Sequence, residues 1–153
     1  MSPLAKAAIA LSVCAPALAH QVVGITDGDT IKLLVDRREV KIRLANIDAP
    51  ERRQAWGNRS RQSLSELCWE KDATYQAQDV DRYGRTVAVV SCAGVNVNRA
   101  QVERGMAWVY PKYNKDAALP ELQERARAER RGLWADPEPV PPWKWRKQSR
   151  TKQ

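Results

Sequence analysis

Residues Gln21–Ile47 read QVVGITDGDTIKLLVDRREVKIRLANI. Gln21–Thr26 and Thr30–Val35 are β-branched runs on either side of Asp27-Gly28, a dipeptide that favours a tight hairpin because both positions tolerate positive φ. A third run, Val40–Ile47, puts Val40, Ile42 and Leu44 on one face and Lys41 and Arg43 on the other. Arg43 is therefore expected to point away from the apolar side. Downstream, Asn58–Trp69 reads as a helix with Asn58 at its N-cap and Leu64, Leu67 and Cys68 spaced as one apolar stripe. Ala73–Val80 and Arg85–Cys92 read as strands joined across Asp81–Gly84, where Gly84 supplies the permissive backbone. Asn98–Arg104 reads as a short helix capped by Asn98 and closed by Gly105. A last helix has Pro120 in its first turn and a Glu121/Arg125 pair, with Gly132 at its end and Leu133 and Trp134 folding back. Five short strands, concentrated early, and about three helices predict an α+β fold built on a small antiparallel barrel.

The remaining composition narrows the function. The 153 residues are 43% hydrophobic and 29% charged, with 26 Lys+Arg against 18 Asp+Glu and a pI near 9.7. Collagen, coiled coil and a multi-span membrane protein are excluded, because there is no glycine period, no sustained heptad and no apolar run of bilayer length. Residues 1–19 read as a signal peptide, with Lys6 as the positive region, Ala7–Ala15 as the apolar stretch and Ala17-Leu18-Ala19 as the cleavage site. The other readings are a buried N-terminal helix, which Pro16 disfavours, and a lipidated Cys14, which Val13 disfavours. A periplasmic or secreted location follows as an expectation. Losing Lys6 lowers the formal charge from +8 by one, to +7. A basic exported chain points to a polyanion, nucleic acid ahead of a membrane surface, with solubility as the bland alternative. Residues 20–136 then form the folded domain. The stretch from Pro137 to Gln153 is Pro-rich and then basic, and is expected to be an extended tail docking through Trp143 or Trp145, its end mobile.

With Cys14 gone, Cys68 and Cys92 remain, and either bridge or pack as free thiols; an oxidising compartment favours the bridge. His20 is the only histidine. A Cys/His zinc site and Ser-His-Asp or Cys-His catalysis are excluded, which leaves carboxylates, arginines, tyrosines or an oxygen-bound metal.

Three segments carry that chemistry: Asp27-Gly28-Asp29-Thr30; Arg43-Leu44 followed by Ile47-Asp48-Ala49-Pro50-Glu51; and Asp81-Arg82-Tyr83-Gly84-Arg85. Each alone has an ordinary explanation as a turn or a solvated loop. Together, in this order, they resemble the staphylococcal nuclease (thermonuclease) family from about Val22 to Trp134. Val97-Asn98, Gly105-Met106-Ala107 and Gly132-Leu133-Trp134 extend the resemblance.

The resemblance implies an OB-fold, a five-stranded antiparallel barrel with flanking helices, and a calcium-dependent nuclease acting on DNA and RNA, with single-stranded or locally opened strands preferred and products ending in 3′-phosphate and 5′-hydroxyl. It places metal ligands at Asp29, Asp48 and the carbonyl of Ala49, and a water-activating or water-orienting carboxylate at Glu51. Arg43 and Arg85 match the arginines that clamp the scissile phosphate. Tyr83 matches a tyrosine at the phosphate end of the site, with Arg82 beside it. Tyr110 and Tyr113 fall in the segment that supports the base, whereas Trp108 is expected to be core. Asp27 is expected to shape its turn. A monomer with no stable membrane insertion is expected. The rival is a non-catalytic OB-fold module binding single strands; intact side chains at Asp29, Arg43, Asp48, Glu51 and Arg85 favour catalysis.

Overall fold

A computed structural model describes residues 17–151. The expected leader, residues 1–19, lies outside the described residues except for its last three, and Cys14 falls outside them. Five strands form the barrel: β1 His20–Asp27, β2 Thr30–Val35, β3 Arg38–Leu44, then, beyond the short β4 at Ile47–Asp48, β5 Asp72–Val80 and β6 Thr86–Cys92. Their order is β3-β2-β1-β5-β6, each neighbour antiparallel, and β3 pairs with β6 to close the ring. An odd number of alternating strands leaves the first and last running the same way. The closing pair is accordingly parallel, with Ile42 opposite Thr86, Arg43 opposite Val87 and Leu44 opposite Ala88. The barrel is thus mixed rather than wholly antiparallel. A short β7, Val95–Asn96, adds to β6, and β4 pairs separately with β8, Trp108–Val109.

Alternation fills the interior. Ile31 and Leu33 of β2, Ile42 and Leu44 of β3, and Val90 of β6 are fully buried beside Leu64 of the first helix. That helix, α1, spans Gly57–Cys68, and α2 and α3 span Val97–Glu103 and Leu119–Ala128. Pro120 and the Glu121–Arg125 pair, 3.1 Å, stand where expected on α3. Two caps move. The residue before α1 is Trp56 in the left-handed region, φ 70°, so Asn58 lies one residue inside the helix rather than capping it. At α2 the cap is Asn96, whose carboxamide oxygen accepts from Arg99 N.

Asn98 is freed for a buried role. Its Nδ2 donates to the carbonyls of Ala45 and Ala88 at 2.9 and 3.1 Å, and its Oδ1 accepts from Val90 N at 2.9 Å. Asn98→Ala removes three side-chain hydrogen bonds to buried backbone groups and is expected to cost on the order of 3 kcal/mol in urea unfolding.

The glycine of the first hairpin works differently from expectation. Asp27 pairs with Thr30, so Gly28-Asp29 forms the turn, and neither Asp27 nor Gly28 has a positive φ. A Cβ on Gly28 would lie 1.8 Å from Ser60 Oγ and 2.9 Å from Ala49 Cβ, so glycine is needed for close approach. Positive φ occurs instead at Asp36 and Arg37, 47° and 62°, in the β2–β3 turn.

Cys68 and Cys92 are bonded, joining the end of α1 to the end of β6 across 24 residues of sequence. For a loop of that size, Cys68→Ser/Cys92→Ser is expected to lose ~3 kcal/mol of unfolding free energy.

The largest departure is at the C-terminus. Pro142–Thr151 is a fourth helix, α4, where an extended tail was expected. Pro at a first helical position gives up no hydrogen bond, and the amides of Lys144 and Trp145 both donate to Pro141 O. Trp143 fixes the helix against Trp108 and Tyr110. Among the described residues no helix is long and apolar enough to cross a membrane.

Candidate active site

The β1–β2 turn, the β3 end of the barrel's parallel seam and the β4 strand meet at one point. Leu44 N donates to Asp29 O at 2.8 Å, tying the turn to β3. Asp29 is 5% exposed and Asp48 only 1%. Ala49 N and Thr30 Oγ1 donate to the Asp29 carboxylate at 2.7 and 3.2 Å. Arg43 stands between the two carboxylates, its Nη2 lying 3.2 Å from Asp29 Oδ2 and 3.0 Å from Asp48 Oδ1. Its Nη1 donates to the carbonyls of Leu44 and Ile47. Such a fork gives a partly buried cation fixed geometry.

Glu51 leaves the same loop, which is folded tightly. Its backbone N donates to Gln54 Oε1, and a Cβ on Gly57 would lie 2.0 Å from its carbonyl oxygen. These groups line a cavity of about 770 Å³ together with Arg82, Tyr83, Arg85, Tyr110 and Tyr113. Arg85 stands apart from the carboxylate cluster. It is held by Asp81, Nε to Oδ2 at 2.6 Å, in the turn between β5 and β6. Burial opposes ionisation of Asp81, but the Arg85 backbone and side chain and the Tyr83 amide outweigh it and hold the carboxyl below the usual range.

The aromatic positions divide. Tyr83 is 69% exposed, with the Arg82 and Arg85 guanidiniums 4.9 and 5.6 Å from its ring centre. Tyr113 is 54% exposed and meets Tyr110 edge-on at 4.8 Å. Tyr110 is stacked on Trp143 at 5.3 Å with 4° between planes, so that face is closed to a ligand. Trp108 packs on Trp134 as a core residue.

Negative charge dominates the inner wall. Burial pushes the Asp48 carboxyl up despite hydrogen bonds from Arg146. Burial and the adjacent Asp29 push Asp27 up from 3.8 to about 7. Without metal, the folded chain therefore holds a proton at Asp27 that the unfolded chain has released. The stability from that proton is full below pH 3.8 and gone once the pH has risen through about 7. In chelator, Asp27→Asn is expected to have a higher Tm than the parent at pH 8, with the advantage vanishing at pH 4; a constant offset would refute the shift.

Among the described residues no group of three or more His, Cys, Asp or Glu side chains forms a ready metal cluster. Two buried carboxylates beside backbone carbonyls are nevertheless a hard-oxygen donor set. That chemistry fits Ca²⁺ rather than Zn²⁺.

The model of the family described as staphylococcal nuclease homologue matches residues 41–136. The chain belongs to this family. It is therefore a nuclease, a phosphodiester hydrolase. It is 44% identical to a micrococcal nuclease of Shigella flexneri, over 94% of this chain and 91% of that protein. Identity is 46% to the protein ParB of Escherichia coli, over 95% and 90% of the two chains. It is 48% to an uncharacterized endonuclease of Escherichia coli O157:H7, over 82% and 83%.

Sequence reasoning on this nuclease missed Arg146, which lies beyond the matched span and donates to both Asp48 and Glu51. Its signal was the spacing of Trp143, Arg146 and Arg150, three and then four residues apart as on one helical face. The prolines before it read as extended chain and masked that periodicity. Gln101 was also missed; it is fully buried and ties the Asp29 turn to α1 by donating to Gly28 O and Ser60 O.

Proposed function

We propose that the chain is an exported, calcium-dependent nuclease cleaving DNA and RNA with little sequence preference to leave 3′-phosphate and 5′-hydroxyl ends. One observation carries the reading: Asp29, Asp48, Arg43 and Glu51 converge on one wall of a cavity that Arg85 also lines. Asp29, Asp48 and the carbonyl of Ala49 would hold Ca²⁺, which when bound supplies positive charge for the phosphate oxygens.

Glu51 accepts a proton from the attacking water as the water oxygen bonds to phosphorus, the bond to the 5′-oxygen breaks as that oxygen takes a proton from solvent, and Glu51 then returns its proton to solvent. Arg43 and Arg85 donate to the equatorial oxygens, where charge builds as the fifth bond forms. Tyr83 and Tyr113, exposed at the cavity, supply flat faces on which any base can stack, which supports weak sequence preference.

The test is incubation of protein beginning at His20 with single- and double-stranded DNA and RNA, in Ca²⁺ or chelator, with end-group analysis. Cleavage in Ca²⁺ alone, giving 5′-hydroxyl ends, is expected. Binding without cleavage would favour the non-catalytic module. Export is tested by the intact mass of native protein from the extracytoplasmic fraction; retained residues 1–19 or a lipid on Cys14 would exclude the cleavage at Ala19.

A further inference from the structure

The helix α4 inserts a cation into the carboxylate site. Arg146 Nη1 and Nη2 donate to Asp48 Oδ1 and Oδ2 at 3.2 and 2.8 Å, and Nη1 also donates to Glu51 Oε1 at 2.7 Å. Arg43 takes Asp48 Oδ1 as well, so both Asp48 oxygens are engaged by guanidinium. The carboxylates hold Arg146 protonated, outweighing the burial that would lower it.

The footing of this helix is confined to its first turn. Trp143 packs on Tyr110 and Trp108, Trp145 is half-buried at a small cavity that Trp108 and Leu133 also line, and Gln54 Nε2 donates to Val140 O at 2.6 Å just before the helix. Within the helix, Pro142 is the one buried residue. Beyond Arg146 come Lys147, Gln148, Ser149 and Arg150, which add no large apolar anchor.

Asp48 already holds two cations, Arg43 on Oδ1 and Arg146 on both oxygens, which leaves at most one lone pair for a third. A divalent ion needs the lone pairs that now receive Arg146, and it repels a guanidinium a few ångströms away with little water between. Three carboxylates, Asp29, Asp48 and Glu51, face two guanidiniums, Arg43 and Arg146, leaving one net negative charge. Adding a divalent ion overshoots neutrality until a guanidinium withdraws or a phosphodiester arrives.

We propose that Arg146 is a built-in counter-cation that a divalent metal must displace from Asp48, so that residues 142–151 set the metal affinity of the site and are loosened when it is loaded. The inference rests on the calcium reading above. By linkage, what α4 does to metal binding, metal binding does to α4.

Two measurements on the chain beginning at His20 test it. In calorimetric titration with CaCl₂, Arg146→Gln is expected to bind about tenfold more tightly than the parent, within the ordinary range of coupling. In the parent, saturating Ca²⁺ is expected to speed amide hydrogen exchange within residues 142–151 and to leave the barrel strands protected. Equal or weaker Ca²⁺ binding by the variant overturns the proposal while leaving the calcium reading intact. Unchanged or greater protection of 142–151 in the parent does the same, and decides alone if the variant does not fold. Calcium binding by the variant and not by the parent supports the proposal in its strongest form. Failure of both proteins to bind Ca²⁺ refutes the calcium reading and this inference with it.

Discussion

Arg85→Lys, assayed at saturating Ca²⁺ and substrate, is expected to fold as the parent does and to lose roughly two or more orders of magnitude in kcat, the scale of removing one oxyanion donor. Its side chain is 28% exposed and is held through Nε by Asp81, a pair at the surface of the β5–β6 turn. Lysine keeps the charge and can keep that pair, but loses the planar fork with which a guanidinium follows charge on two phosphate oxygens. Arg43→Lys is a less clean experiment. Arg43 also satisfies the carbonyls of Leu44 and Ile47 and separates Asp29 from Asp48, so its replacement lowers stability as well as turnover. Near-normal kcat in folded Arg85→Lys would remove Arg85 from the mechanism and weaken the phosphate-clamp reading as a whole.

Asp48→Ala is expected to fail differently. The substitution deletes the most buried carboxylate of the site and the acceptor shared by Arg43 and Arg146. One anionic ligand fewer, with two guanidiniums left facing the vacated position, disfavours a divalent ion twice over. The calcium concentration for half-maximal rate should rise at least roughly tenfold, the step expected of about 1.4 kcal/mol of lost binding. Turnover at saturation should fall too. A calcium titration of initial rates separates this from Arg85→Lys, whose calcium midpoint should stay put. An unchanged midpoint in Asp48→Ala would remove Asp48 from the ligand set.

The difference between these variants rests on positions that were legible in the motifs and on partners that were not. Asp29, Arg43, Asp48, Glu51 and Arg85 stand in short segments whose order pointed to one site, and all five line one cavity. That Arg43 bridges the two aspartates while Arg85 stands away with Asp81 was invisible, because it depends on which strands close the barrel. Caps were misjudged for a related reason. Asn58 and Asn98 have the composition of N-caps, yet Trp56 and Asn96 take those places, since burial of Asn98 against β3 and β6 offers three hydrogen bonds where a cap offers one or two.

β-branched runs, and in β3 alternation, pointed by themselves to the five barrel strands, because both are local properties of a pleated strand wherever it ends up. The charge and the turn-borne carboxylates likewise needed no tertiary knowledge to suggest a polyanion and a hard cation. Only the tertiary structure decided the parallel seam between β3 and β6, the use of Gly28 for close approach, and the arrival of Arg146 at Asp48. Each is a contact between segments far apart in the chain, Arg146 and Asp48 being 98 residues apart. Local propensity fixes backbone conformation over a few residues, whereas the partner of a buried charge is chosen by whatever the completed fold brings within hydrogen-bonding reach.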